Sequence, residues 1–271
     1  MLDKFTNSTL PLHFRLIRKI RMKKNHKRSF KEKMDYDEIE RPNYAYCMYN
    51  AAILAKQLGY SKISVIEFGV AGGKGLLVIE KHAQEIFNEL GVEFEIYGFD
   101  LEKGMPPSDD YKDILYTYSE GMFKMDKKKL ELKLKKAKLV IDDVKDSSKT
   151  FFEKYNPAPI GCVFMDLDYY TSTKNSFSIF SSSNQNYLPR IHCYFDDIML
   201  TNEFVGELCA IKEFNENNQF KKIAKIYGLH SKRVYPRPWN EQIFCFHDFK
   251  HPKYNQFIED LQFAENTTKL E

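Results

Sequence analysis

The stretch SVIEFGVAGGKG, from Ser64 to Gly75, decides the fold expected for this chain. It begins with an apolar, β-branched run of strand length and ends in a turn that contains four glycines. A carboxylate, Glu67, stands directly before that turn. A strand that leads through glycines into a helix is typical of α/β proteins, which bind their ligands beyond the carboxyl ends of the strands.

The alternation of apolar strand and helix continues along the chain. Five apolar runs are each followed by a helical stretch, which predicts a parallel sheet covered on both faces. Two further runs near the C-terminus, joined by a proline-containing loop, predict a hairpin. The predicted fold class is α/β: a Rossmann-like, doubly wound, mostly parallel seven-stranded sheet with an antiparallel edge hairpin, plus N-terminal helices. The predicted strands cover residues 62–68, 94–100, 138–142, 161–166, 191–196, 220–228 and 241–249. The predicted helices cover residues 41–59, 74–91, 126–137 and 202–216, with shorter helical stretches around 151–154 and 173–180.

Composition limits the class of protein. The 271 residues are 43% hydrophobic and 29% charged, which is typical of a globular chain rather than a disordered one. The five cysteines are widely separated and form no CxxC pair, so we expect neither a disulfide framework nor a zinc site. No apolar run reaches the roughly 18 residues of a membrane span, and no signal-peptide core is recognisable. We therefore expect a cytoplasmic protein.

The N-terminal part of the chain is strongly basic. Residues 13–33 contain ten Lys and Arg against one Glu, although the net charge of the chain is only +3. Apolar residues at helical spacing predict an amphipathic helix among these cations, namely Leu12, Leu16, Ile17 and Ile20. We favour a helix that packs on the body or on a second subunit over one that lies on an anionic membrane. Specific nucleic-acid binding is not expected, because no reader fold accompanies the charge.

The glycine turn fits a phosphate ligand poorly. A P-loop is excluded, because Phe68 stands where its first glycine belongs and Gly75 where its Ser or Thr belongs. A dinucleotide fingerprint requires G-x-G-x-x-G, which the glycines do not provide, and Glu67 would add negative charge beside the phosphates. S-adenosylmethionine carries no phosphate and offers a sulfonium and an ammonium cation. A carboxylate at the end of the strand stabilises both of these charges.

Further acids follow the next two strands. Asp100 ends the second strand and is suited to accept hydrogen bonds from ribose hydroxyls. Asp143, just after the third strand, could accept from the adenine amino group, and either acid could instead cap the helix that follows it. The candidate cofactor contacts are therefore Glu67, Gly69, Ala71, Gly72, Gly73, Asp100 and Asp143.

Four aspartates follow the fourth and fifth strands. Asp166 and Asp168 come after one strand, and Asp196 and Asp197 after the other. If the strands are neighbours, these carboxylates converge, which is costly unless they share a cation. Oxygen ligands of this kind suit Mg²⁺, which lowers the pKa of a bound hydroxyl and orients it for attack on a methyl group. The alternative is that Asp168 and one of the later pair only cap helices.

The motifs EFGVAGGKG, GFDLEKGMP, DLDYYTST and FDDI together resemble the class I S-adenosylmethionine-dependent methyltransferases. Within that class, the chain is similar to the bacterial macrocin-type (TylF-like) sugar O-methyltransferases over most of Arg41 to Phe249. The resemblance implies that Asp166 or Asp168 is both metal ligand and catalytic base, and that Asp196 and Asp197 complete the metal site. We predict a methyltransferase domain over residues 41–271, preceded by a basic N-terminal helical extension over residues 1–40.

The function expected is that of an S-adenosylmethionine-dependent O-methyltransferase, assisted by Mg²⁺, that methylates a hydroxyl of a sugar or sugar-containing metabolite. A precursor of a bacterial cell-surface glycan is one such acceptor. Besides the small-molecule or glycan acceptor, we expect a homo-oligomer or a peripheral membrane contact through the basic N-terminus. Two alternatives are an NAD(P)-dependent oxidoreductase and a non-catalytic cofactor-binding or scaffold protein.

Overall fold

A computed structural model describes residues 14, 16, 19–21 and 28–258 of the chain. The strands are β1 (Lys62–Phe68), β2 (Glu93–Asp100), β3 (Lys138–Ile141), β4 (Ile160–Met165), β5 (Tyr187–Phe195), β6 (Lys221–Lys225) and β7 (Ile243–Asp248). The helices are α1 (Phe30–Asp35), α2 (Pro42–Gln57), α3 (Lys74–Leu90), α4 (Lys127–Glu131), α5 (Val144–Tyr155), α6 (Tyr170–Ser176), α7 (Gly206–Asn217) and α8 (Leu229–Lys232).

The strands form one sheet in the order β3-β2-β1-β4-β5-β7-β6. β1 pairs in parallel with β2 and β4, while β3 and β5 continue the parallel part on either side. β7 runs antiparallel to both β5 and β6, so the predicted edge hairpin and the predicted fold class are confirmed. The connection between β6 and β7 holds more than the expected loop, because it contains α8 and a 3₁₀ turn at Pro238–Gln242.

The sheet is buried on both faces, as a parallel sheet requires. Alternate side chains of β1 enter two different cores. Ile63 and Val65 pack on the side of α2 and α3. Ile66 and Phe68 pack on the opposite side, with α5, α6 and α7. The two-residue period of the strand therefore sends every second side chain to the other layer.

The charged helix predicted over residues 126–137 is wrong in its length. α4 ends at Glu131, after a single turn and a half. Three backbone N–H groups beyond it, from Lys135, Lys136 and Ala137, all donate to Oε1 of Glu80 on α3. This carboxylate takes the donors that a continued helix would have bonded to its own carbonyls. The segment therefore runs along α3 toward β3 instead of extending as a helix.

Part of the N-terminal extension is packed on the body. α1 begins at a capping box between Ser29 and Glu32 and buries Phe30 and Met34 in the core beside α2 and α3. The predicted amphipathic helix lies largely outside the described residues, and the domain boundary at residue 40 stays a prediction. In the described part of the chain, no helix is long and apolar enough to cross a membrane.

His82 on α3 provides a pH-dependent part of the stability. The ring is 1% exposed, and Nε2 lies 2.8 Å from the carbonyl oxygen of Glu40. Burial lowers the pKa of His82 to about 4. A histidine whose pKa is lower in the folded chain stabilises the fold at neutral pH and loses that contribution as the pH falls through 6.5 toward 4.

We predict that His82→Gln removes this pH dependence. Between pH 7 and pH 5, the parent should lose about 2 kcal/mol more of its free energy of unfolding than the variant. Urea unfolding at the two pH values measures the difference. His230→Gln, at an exposed position, should behave as the parent. Equal losses in the parent and His82→Gln would contradict the prediction.

Candidate active site

The glycine turn after β1 passes directly over the end of β4. Gly69 has a φ of +83°, and a Cβ built there would lie 1.7 Å from the carbonyl oxygen of Asp166. Both facts exclude a side chain at this position. Ala71 also adopts a positive φ, of 44°, and Gly73, with a φ of 77°, is the N-cap residue of α3. The backbone is therefore wound tightly between β1 and α3.

Glu67 lies beneath this turn and is 2% exposed. Its Oε1 accepts a hydrogen bond of 2.8 Å from the hydroxyl of Tyr44 on α2. Gly75 leaves room for the carboxylate, because a Cβ there would lie 1.7 Å from the same oxygen. Oε2 is buried and has no hydrogen-bond partner within the described residues. Burial raises the pKa of Glu67 to about 7, against the opposing positive charge of Arg41.

Asp100 holds the glycine turn in place. Its Oδ2 accepts hydrogen bonds of 2.9 Å from the backbone N–H groups of Val70 and Ala71. Oδ1 accepts a hydrogen bond of 2.6 Å from the N–H of Glu102. Asp100 also lines the cavity described below. Its predicted contact with a ribose stays a prediction. The hydrogen bonds to the glycine turn are a further role, which the sequence did not indicate.

Asp143 has the capping role that was one of its two interpretations. It is the N-cap of α5, and its Oδ1 accepts a hydrogen bond of 2.8 Å from the N–H of Lys145. The residue is exposed and lies at the wall of the cavity together with Asp142. A contact with an adenine amino group stays a prediction.

A cavity of about 420 Å³ opens at the carboxyl ends of β1, β2, β3, β4 and β5. This volume lies in the range of pockets that bind small molecules. Its wall combines the glycine turn, the acids after the strands and side chains from the long connection between β2 and α4. The predicted site residues among its lining are Glu67, Gly69, Ala71, Gly72, Asp100, Asp143, Asp166, Asp168, Asp196 and Asp197; Gly73 is not among them.

Three of the four predicted aspartates converge on one point of this cavity. Carboxylate oxygens of Asp166, Asp196 and Asp197 all lie within 4.8 Å of one another. Burial, together with the negative charges of Asp196 and Asp197, raises the pKa of Asp166 well above its usual range. Asp197 is 7% exposed, and its Oδ2 is buried without a hydrogen-bond partner within the described residues. We call these three residues the aspartate cluster.

Asp168 stands beside the aspartate cluster. Its carboxyl group lies close enough to Asp197 for the two negative charges to act on each other. Burial and the charge of Asp197 raise the pKa of Asp168 to about 8. The backbone of Asp168 has a φ of 60°, which turns the chain sharply between β4 and α6.

The alternative that these aspartates only cap helices is wrong for Asp168 and Asp197. Tyr169, and not Asp168, is the N-cap residue of α6, and its side chain makes no capping hydrogen bond. Asp197 precedes a 3₁₀ turn without a capping hydrogen bond from its side chain. Asp113 instead makes hydrogen bonds to the first turn of α6. It accepts one from the N–H and one from the hydroxyl of Thr171, each over 2.7 Å. Neither Asp168 nor Asp197 therefore serves as a helix cap through its side chain.

Several residues of the site were not singled out by the sequence. Tyr44 bonds Glu67, and Arg41 stacks its guanidinium 4.7 Å from the Tyr44 ring. Burial opposes the charge of Arg41, but Tyr44, Glu67 and the nearby aspartates raise its pKa. Tyr118 donates to Asp197. Glu207, on α7, is fully buried and accepts from the backbone N–H of Asp197 at 3.0 Å. No motif marks these positions, because their roles depend on tertiary contacts.

We predict that Gly69→Ala destabilises the fold more than Gly59→Ala does. Both glycines have a φ near +80°, but a Cβ at Gly59 meets nothing within 4 Å. Gly59→Ala should cost about 1–2 kcal/mol through the backbone conformation alone. Gly69→Ala should cost about 1–3 kcal/mol more through the clash with Asp166. Urea unfolding of both variants measures the difference, and equal losses would contradict the close approach.

No protein-family model and no curated protein matches this sequence. Solved structures do match it. The O-methyltransferase NovP is 12% identical, with a TM-score of 0.52 over 77% of this chain and 81% of NovP. The calicheamicin methyltransferase CalS11 is 18% identical, with a TM-score of 0.49 over 77% of this chain and 80% of CalS11. With the strand order, the similarity to NovP shows that this chain shares the fold of that protein.

Proposed function

We propose that this chain is an S-adenosylmethionine-dependent O-methyltransferase that uses a divalent metal ion and acts on a hydroxyl of a sugar or sugar-containing metabolite. One observation carries the proposal. The aspartate cluster lines the same cavity at the strand ends as the buried carboxylate of Glu67, one oxygen of which has no hydrogen-bond partner within the described residues. Such a cavity favours positively charged ligands, and a sulfonium methyl donor and a divalent ion are both cations.

The contacts of the glycine turn argue against a dinucleotide. The N–H groups of Val70 and Ala71 already donate to Asp100, whereas a pyrophosphate requires such backbone donors for itself. Oε2 of Glu67 has no donor in the described part of the chain, and it is suited to the ammonium group of the methyl donor. Gly72 lines the cavity, and a Cβ there would meet nothing within 4 Å. The turn therefore leaves room for a ligand.

The donor set of the aspartate cluster fits a hard cation. It offers only carboxylate oxygens, which Mg²⁺ prefers to nitrogen or sulfur ligands. Oδ2 of Asp197 is buried without a partner within the described residues, a costly arrangement that a cation would relieve. Asp166, Asp196 and Asp197 would hold the ion. When bound, it supplies positive charge that lowers the pKa of the acceptor hydroxyl.

Asp168 is suited to take the proton of the acceptor. It lines the cavity beside the cluster, and the deprotonated form of a carboxyl group with a raised pKa of about 8 is a stronger base than an ordinary carboxylate. In the transfer, the acceptor oxygen forms a bond to the methyl carbon. Asp168 would take the hydroxyl proton, while the electron pair of the broken carbon–sulfur bond would stay on the sulfur of the donor. Much of the acceleration would come from holding the two reactants in line.

The sugar acceptor rests on the motif resemblance around DLDYYTST and FDDI. The cavity mouth adds a half-exposed ring, Phe123, beside the acids, and an aromatic face next to polar groups suits a sugar ring. The cell-surface glycan, the membrane contact, the homo-oligomer and the cytoplasmic location all stay predictions.

The cofactor part of the proposal predicts a selective effect of Gly72→Ala. The parent should bind S-adenosylhomocysteine and not NAD⁺ in calorimetric titrations. Gly72→Ala should weaken the binding of S-adenosylhomocysteine by about 10-fold, roughly 1.4 kcal/mol, because the new methyl group enters the cavity. Its urea midpoint should match that of the parent, since nothing lies within 4 Å. Tight NAD⁺ binding by the parent would overturn the proposed function.

The metal part predicts the behaviour of Asp196→Asn and Asp197→Asn. Each should reduce Mg²⁺-dependent methyl transfer to a panel of sugar acceptors by at least about 100-fold, since even losses behind the ligands cost roughly 10- to 100-fold. Neither should unfold at lower urea than the parent, because one like charge leaves the cluster. Asp109→Asn, at an exposed position, is the control. Full activity in either variant, or in the presence of EDTA, would rule out the metal.

A further inference from the structure

A phenol from outside the sheet reaches the aspartate cluster. Tyr118 belongs to the long connection between β2 and α4, lines the cavity and is 8% exposed. Its hydroxyl donates to Oδ1 of Asp197 over 2.8 Å. Asp168 lines the same cavity, and its charge acts on the phenol. The phenol therefore bonds a candidate metal ligand and lies near the candidate base.

The connection that carries Tyr118 is fixed to the same part of the sheet edge. Asp113 is fully buried and accepts hydrogen bonds from Thr171 and from the hydroxyl of Ser108, the latter over 2.5 Å. Thr171 lies in the first turn of α6, three residues after Asp168. The Tyr118 ring packs in a small apolar cluster with Met105, Ile114 and Tyr169. The ring is thus held by packing, and its hydroxyl by Asp197.

The two oxygens of Asp197 have different surroundings. Oδ1 accepts from Tyr118, whereas Oδ2 is buried and has no hydrogen-bond partner within the described residues. The backbone N–H of Asp197 is also fixed, because it donates to Glu207. A carboxylate held at one oxygen and at its own N–H cannot rotate freely. Its second oxygen is left as the one that a cation can take.

We propose that Tyr118 is a positioning residue of the metal site, which holds Asp197 through Oδ1 so that Oδ2 is left for the cation. The inference rests on the proposed function, because it requires a divalent ion at the aspartate cluster. A phenol suits this task better than a lysine or an arginine would. It donates one hydrogen bond without adding positive charge, so the attraction for a cation is retained.

The test compares Tyr118→Phe with Tyr116→Phe. Tyr118→Phe keeps the ring in its apolar cluster and removes only the hydroxyl. Tyr116 lies in the same connection but is 82% exposed. Binding of Mn²⁺ to the full chain is measured by electron paramagnetic resonance of the free ion. Binding of S-adenosylhomocysteine and urea unfolding are measured on the same samples.

We expect Tyr118→Phe to bind Mn²⁺ about 10-fold more weakly than the parent, since loss of a partner behind a metal ligand typically costs roughly 10- to 100-fold in affinity. Its affinity for S-adenosylhomocysteine and its urea midpoint should stay those of the parent, and Tyr116→Phe should match the parent throughout. Equal Mn²⁺ binding by the parent and Tyr118→Phe would overturn this inference alone.

Two other outcomes separate it from the function on which it rests. Parent protein that binds no Mn²⁺ would overturn both the inference and the metal part of the proposed function. A Tyr118→Phe variant that loses Mn²⁺, S-adenosylhomocysteine and urea resistance together would overturn the positioning role in favour of a general structural one.

Discussion

Negative charge gathered at the ends of three neighbouring strands is the constraint on which the site depends. Oxygens of Asp166, Asp196 and Asp197 lie within 4.8 Å of one another. At such distances, two unit charges repel by about 4 kcal/mol at an effective dielectric constant of 20. The register makes this possible: Met165 pairs with Phe68 and with Phe195, so the residues that follow these strands lie side by side. The sheet, which is buried on both faces, holds these acids close together despite the repulsion between them.

Neutral groups hydrogen-bond the acids of the site, and Arg41 is a positive charge near Glu67, Asp166 and Asp196. Phenol hydroxyls bond three of the acids: Tyr44 to Glu67 over 2.8 Å, Tyr118 to Asp197 over 2.8 Å, and Tyr194 to Asp196 over 2.5 Å. Burial, with the charge of the adjacent acids, raises the pKa of all three phenols, so each remains a donor at neutral pH. A lysine at these positions would have cancelled the charge that attracts a cation.

The sequence predicted the parts of the site that follow from strand ends. The apolar runs located β1, β4 and β5, and adjacency of parallel strands then brings Glu67 and the aspartates to one edge. It did not predict the roles of the phenols. Tyr44 has the pattern of an ordinary buried helix residue, and Tyr118 lies in a connection without periodicity. It also placed a full helix over residues 126–137, where a distant carboxylate on α3 captures the backbone donors. Local sequence patterns do not indicate partners that are distant in the chain.

The free-energy cost of burying these acids links the folding of the chain to the binding of its ligands. A core with stacked aromatic rings offsets part of that cost at the site itself, since the Tyr44 ring lies 3.9 Å from that of Phe164 with their planes 5° apart. Bound cations relieve the repulsion between the acids. Cation binding therefore also stabilises the folded chain. A site built in this way prefers positively charged ligands, because without a cation burial and mutual repulsion raise the pKa values of Glu67, Asp166 and Asp168 and favour their protonated forms. The selectivity of the cavity is therefore a property of the charge arrangement as a whole rather than of any single acid.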